Sequence, residues 1–320
     1  MAATLPLTVP PRPAARTFCN FPLVTDLDSL SAHVAIIGMP YGDPYTAEEI
    51  TNDQTNAPTA VRCASHTITL GLDRWNFDLD GPVLDDKPVR VVDVGDVPAD
   101  PRDLRAHYRN AEAAVRKILK AGAMPITIGG DHGVPIPVFR ALSDFAPVTL
   151  VHIDAHLDWR DEVNGVREGY SNPIRRASEM EHIDRIFQIG MRWQGSARRE
   201  EVEAARAYGS RIFTGEELAE KGMSAVLAEI PDGGRYYLTI DADGIDPSQM
   251  PGVMAPAPGG VTYYQALALI KGLCRKGRLL GMDIVEIAPS RDVQNITCIT
   301  AGHMILNTIG AAVRARHFEA

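Results

Sequence analysis

Residues 148–158 read Val-Thr-Leu-Val-His-Ile-Asp-Ala-His-Leu-Asp, an apolar run that passes directly into alternating acids and an imidazole. The run is rich in β-branched residues and has the composition of a strand buried on both faces. Successive side chains of an extended chain point to opposite faces, so Asp154, His156 and Asp158 can converge. Two other stretches repeat the arrangement. Gly129-Gly130-Asp131-His132 follows the apolar run at 124–128, and Asp241-Ala242-Asp243 follows the run at 236–240. Four carboxylates and two imidazoles form a hard-oxygen set supplemented by nitrogen. Such a set suits two divalent cations that share bridging carboxylates. No thiolate takes part.

Working outward, short β-branched runs alternate with longer amphipathic ones, the pattern of a parallel sheet flanked by helices. The spacing predicts strands at 34–37, 89–94, 124–128, 148–153, 185–189, 236–240 and 279–285. It predicts helices at 58–64, 104–121, 198–208, 263–274 and 297–313. Thr214 with Glu217 reads as a capping box and Thr262 as an N-cap. The acidic motifs therefore fall at the carboxyl ends of strands, where open α/β sheets bind ligands, and Glu286 ends the last strand in the same way. Gly129 and Gly130 allow a tight turn before His132. No repeat or linker divides the chain, so one domain is expected over residues 31–320, preceded by a proline-rich arm at 1–30.

The 320 residues are 45% hydrophobic and 23% charged, ordinary globular proportions. A formal net charge of −9 argues against a nucleic-acid partner, which needs a basic footprint. Cys19, Cys63, Cys274 and Cys298 are scattered and read as free thiols in a reducing compartment. No apolar stretch is read as reaching the roughly 18 residues of a membrane span, and residues 1–18 lack the apolar core of a secretory signal. The expectation is a cytoplasmic protein without a membrane.

In this order, the motifs resemble those of the ureohydrolase family, the arginases, agmatinases and related guanidino-group hydrolases. The likeness rests on Gly129-Gly130-Asp131-His132, Asp154-Ala155-His156-Leu157-Asp158, and the stretch from Asp241 to Pro247 followed by Ala257-Pro258-Gly259-Gly260. It extends to Val285-Glu286-Ile287-Ala288-Pro289. The resemblance implies an arginase-like single-domain α/β fold, three α/β/α layers around a mainly parallel central sheet. It implies one metal held by His132, Asp154, Asp158 and Asp241, and a second held by His156, Asp154, Asp241 and Asp243. Two divalent ions per chain follow, Mn²⁺ first and Ni²⁺ second. Asp158 and Glu286 become the catalytic residues, the first moving a proton to the departing amine, the second orienting a cationic guanidinium. The implied partners are a small guanidino substrate and further copies of the chain, as a trimer or hexamer, with a hetero-oligomer as the alternative.

The chain departs from the agmatinase-like pattern where Tyr170 occupies the position of a family histidine, with Ser171 and Asn172 beside it. Tyr170, Asn172 and Trp159, together with Glu286, are the expected substrate contacts. The loop from Tyr41 through Pro58 has acidic and aromatic residues that suit a compact, nitrogen-rich cation: guanidine, an alkylguanidine or a biguanide. Met250 and Met254 read as cavity walls or loop filler. Asp131 and Asp246 read as supporting or turn residues, His152 as packed among apolar neighbours, and His303 as a core or capping residue. Two rival readings stand beside this one. The first is metal-dependent amide hydrolysis of the deacetylase kind, and the second is a non-catalytic subunit of a hetero-oligomeric ureohydrolase.

Overall fold

The computed structural model describes Thr8 and residues 16–69, 71–99 and 103–319. Among these, eight strands form one parallel sheet: β1 (Val34–Met39), β2 (Val91–Asp96), β3 (Met124–Gly129), β4 (Val148–Ile153), β5 (Ile183–Met191), β6 (Arg211–Thr214), β7 (Arg235–Asp241) and β8 (Arg278–Val285). Their order across the sheet is β2-β1-β3-β8-β7-β4-β5-β6. Seven match the strands expected from the sequence. The eighth, β6, is a short edge strand in which Phe213 is the one buried residue, too weak an apolar signal to read.

Consecutive residues of each central strand enter different cores, which explains their lack of polar alternation. Val34 and Ile36 pack on one side of the sheet, and Ala35, Ile37 and Met39 on the other. The first side is covered by α1 (Ala57–Ala64), α7 (Gly215–Glu229), α8 (Tyr263–Lys276) and α9 (Ile296–Arg314), with the single turn α2 (His66–Thr69) beside α9. The second is covered by α3 (Leu104–Lys120), α4 (Pro135–Ala141), α5 (Pro173–Ser178) and α6 (Arg199–Tyr208). The result is the three-layer α/β/α architecture expected. Thr262 forms a complete capping box with Gln265. Thr214 forms half of one: its hydroxyl accepts from the Glu217 N–H, while the Glu217 carboxylate pairs with Arg211 and Lys221.

Two expectations change. α9 is 19 residues long with a mean hydropathy of 1.5, so a stretch long and apolar enough for a span does exist; 78% of that window is buried inside the fold. Residues 1–7 and 9–15 of the proline-rich arm lie outside the described residues, and residues 16–30 pack against the sheet and its helices. Phe18 is fully buried, its N–H donates to Asp93 Oδ2 at 2.8 Å, and Leu27 and Leu30 pack in the core. Cys19, Cys274 and Cys298 are buried free thiols, and Cys63 is exposed.

Candidate metal centre

The four strands that carry the acidic and histidine motifs, β3, β8, β7 and β4, are consecutive across the middle of the sheet. Their register keeps the carboxyl ends level. Ile153 lies opposite Ile240, Asp241 opposite Val285, and the Glu286 N–H donates to the Gly130 carbonyl at 2.8 Å. Beyond β7 the short turn Ala242–Gly244 lies against the start of the loop after β4. A Cβ on Gly244 would stand 2.6 Å from both the Asp154 nitrogen and Cα, so only glycine permits this approach. That contact brings Asp243 beside Asp154.

His132 Nδ1 is the focus of the cluster. It lies 3.1 Å from Asp154 Oδ2, 3.0 Å from Asp158 Oδ2 and 3.1 Å from Asp241 Oδ2. None of these oxygens is aligned to hydrogen-bond it. The opposite nitrogen, Nε2, is 3.2 Å from Thr239 Oγ1, and that hydroxyl donates to Asp283 Oδ1 at 2.7 Å. The threonine oxygen is then an acceptor for Nε2–H, so that Nδ1, once it gives up its proton to a cation, turns a lone pair toward the three carboxylates. His156 Nδ1 sits 3.4 Å from Asp154 Oδ1 and 3.3 Å from Asp243 Oδ2. Adjacent donors of an octahedron around a small divalent ion stand about 3.0 Å apart, given bonds of roughly 2.1 Å. The two clusters share Asp154, and the donor set fits divalent cations.

Against the effect of burial, the surrounding carboxylates raise His132 well above its ordinary value and His156 to about 12, so each imidazole carries the positive charge that a cation would otherwise supply. Burial, then the charges of Asp243 and Asp154, push the Asp241 carboxyl well above its ordinary range. Burial likewise raises Asp158 and Asp243. Asp154 is held well below its ordinary value: burial opposes this, but His152, His132 and His156 outweigh it. Burial, then the Asp131 charge, raises Glu286 to about 8. Buried acids this close are stable as anions only with cations among them.

A cavity of about 490 Å³ opens over the cluster, lined by His132, His156, Asp158, Asp241, Asp243 and Glu286. Of the expected substrate residues, Trp159 and Tyr170 line it as well. Asn172 does not. It is fully buried, with Oδ1 accepting from the Tyr45 hydroxyl and the Gly169 N–H, and Nδ2 donating to the Arg160 carbonyl. It braces the loop and, being fully buried, presents no surface to the cavity. Met254 is a cavity wall, whereas Met250 is core. Asp158 and Glu286 have φ of 50° and 62°, the left-handed region where non-glycine residues are uncommon.

Other residues of the site escape sequence reasoning. His152, read as packed, is indeed buried, but its Nε2 is 2.8 Å from Asp154 Oδ2 and so supports a cluster carboxylate. Its placement two residues before Asp154, on the same strand face, is the signal that reveals it. Glu49 and Gln54 reach the cavity from a loop far away in the chain, and no local pattern marks them. Asp246 receives the N–H groups of Ser248, Gly259 and Gly260, a turn role as expected.

The profile of the arginase family matches residues 32–310. A guanidinopropionase from Pseudomonas aeruginosa is 35% identical over 304 residues, covering 92% of this chain and 90% of that protein. A guanidinobutyrase from the same organism is 36% identical over 223 residues, covering 68% of this chain and 69% of its own. The solved structure of proclavaminate amidino hydrolase from Streptomyces clavuligerus has a TM-score of 0.76 at 28% identity, over 94% of this chain and 97% of that one. The profile match takes in all eight strands and every residue of the acidic cluster, and the chain belongs to the arginase family.

Proposed function

We propose that the chain is a binuclear metal-dependent hydrolase that cleaves a C–N bond of a guanidino compound, giving urea or a substituted urea plus an amine. The observation that carries this reading is the convergence of three carboxylate oxygens on the Nδ1 of His132 at 3.0–3.1 Å. In this reading His132, Asp154, Asp158 and Asp241 hold one ion, and His156, Asp154, Asp241 and Asp243 hold the other. Mn²⁺ is the first choice and Ni²⁺ the second, since a mixed imidazole and carboxylate set accepts both.

Bound there, divalent ions would supply the Lewis acidity that makes water acidic enough to be a nucleophile near neutral pH. The chain's own residues do the rest. Asp158 takes the proton of the attacking water at its carboxylate and passes it to the departing amine. Glu286 orients the substrate: its carboxylate is positioned by the His132 N–H at 2.8 Å and the Gln54 amide at 2.9 Å. A planar cation laid against it is held for attack and remains stabilised as planarity is lost. The second cluster around His156 favours this reading over a single-zinc amide hydrolase.

The test is product analysis on purified chain loaded separately with Mn²⁺ or Ni²⁺. Guanidine, agmatine, arginine, guanidinopropionate, guanidinobutyrate and alkylated biguanides are the panel. Urea or substituted urea from at least one, with two ions per chain, is expected. No amine or urea from any of them under either metal overturns the proposal, and also leaves the non-catalytic subunit standing.

A further inference from the structure

Among the described residues, three carboxylates line the cavity besides the cluster aspartates: Glu286, Glu201 and Glu49. Glu286 has a role in the proposed chemistry. Glu201 Oε1 lies 3.6 Å from Nε of Arg160, the arginine that lines the cavity, so those two charges offset one another. Among the described residues, Glu49 has no cationic partner and no part in the proposed chemistry. Its Oε2 accepts from the Tyr45 N–H at 2.7 Å and its Oε1 from the Tyr170 hydroxyl at 3.2 Å. Both donors are neutral, so the carboxylate is held in place and its charge is not cancelled. The rings of Tyr45 and Tyr170 meet at a centroid distance of 4.5 Å, and Tyr45 is tied through Asn172 to the loop after β4. Glu49 is therefore braced from two loops, as a group with a positioning task is.

A second, independent observation comes from Gln54, which is 5% exposed and lines the same cavity. Its amide nitrogen donates to Glu286 Oε2 at 2.9 Å, which orients its oxygen away from that bond and leaves Oε1 with no hydrogen-bond partner. A buried acceptor without a donor is costly unless a ligand supplies one. Both features thus ask for the same chemistry, a ligand rich in N–H groups. Gln54 Oε1, beside Glu286, adds an acceptor for guanidinium N–H groups, and a substrate carboxylate brought against Glu49 would meet like charge in a partly desolvated cavity.

Resting on the guanidino-hydrolase reading, we propose that Glu49 is a specificity-determining residue of this cavity. It selects guanidino compounds whose far end carries N–H donors or positive charge, and it rejects those ending in a carboxylate. Tyr170, at the position where relatives of the agmatinase kind have histidine, acts here as the positioning residue for Glu49.

The experiment uses the full metal-loaded chain and three butylguanidines of one length, ending in an amine (agmatine), a methyl (butylguanidine) or a carboxylate (guanidinobutyrate). Calorimetry gives each Kd for wild type, Glu49→Gln and Tyr170→Phe, and urea release is recorded separately. Wild type should bind the amine-ended compound at least tenfold tighter than the carboxylate-ended one. Glu49→Gln should shrink that ratio at least fivefold, change the methyl-ended Kd less than twofold and retain its metal. Tyr170→Phe should shrink the ratio by a smaller factor. Equal or tighter binding of the carboxylate by wild type, an unchanged ratio in Glu49→Gln, or no binding of any of the three overturns the proposal. Discrimination that depends on Glu49 without any urea release would instead count against the hydrolase reading alone.

Discussion

Thr239 has one hydroxyl proton and gives it to Asp283, whose carboxyl is raised to about 6 by burial and is still largely ionised at neutral pH. The threonine oxygen consequently accepts from His132 Nε2–H and selects the tautomer that presents a lone pair to the cluster. Thr239→Val removes that selection without adding volume. Metal affinity is expected to fall by about 10–100-fold, the usual effect of losing such a support. Competitive chelator titration measures it, and Thr239→Ser should restore most of the loss. An affinity unchanged in the valine variant would remove the tautomer argument. Asp154 is a harsher test, because both clusters share it. Asp154→Ala should leave less than one ion per chain by elemental analysis and reduce urea release to background.

At the scale of elements, the site is made by four neighbouring strands and the close seating of the turn Ala242–Gly244 on the loop after β4. Gly244→Ala would set a Cβ 2.6 Å from the Asp154 backbone, where neither side can yield cheaply. A loss of about 1–3 kcal/mol in urea denaturation is expected, the range for overpacking, together with weaker metal binding as Asp243 moves from Asp154. Thr262→Ala is the contrast: loss of an intact capping box should cost about 1 kcal/mol and leave metal binding alone. These elements also show what the sequence made legible. Strands buried on both faces announce themselves by uninterrupted apolar runs, and the alternation at 154–158 announces a shared face. β6 is short and half exposed. α4 and α5 are short and begin at Pro135 and Pro173, and α7 is interrupted by Gly222 at φ 74°, so periodicity has little to register in any of them. The residues of the acidic cluster were legible because one strand end carries each group. Glu49, Gln54 and the bracing contacts of Asn172 were not, since they depend on how separate loops meet.

For the whole molecule, the proposed metal binding and proton binding would both act on the folding equilibrium, and they can be separated. A divalent ion that binds the folded chain alone stabilises it by about 2.7 kcal/mol at 100 times its Kd, so chelation should lower the melting temperature measurably. With chelator present throughout, the pH dependence of His107 can be isolated. This imidazole is 1% exposed, and burial lowers its pKa to about 4, offset only in part by the Pro98 carbonyl. Above about pH 6.5, the usual histidine value, it is neutral in both states and contributes no slope. Between about 6.5 and 4 the unfolded chain takes up the proton and the folded chain does not. Stability therefore falls with falling pH by at most about 1.4 kcal/mol per unit through this window, and levels off below it. His107→Leu lacks this limb. The stability difference between wild type and variant, from urea midpoints at pH 7.5, 6.5, 5.5 and 4.5, should shift in favour of the variant as pH falls. A difference that stays constant across the series would mean that His107 is not the neutral, buried imidazole found here. The acidic cluster is common to both proteins, so its own titration largely cancels from that difference.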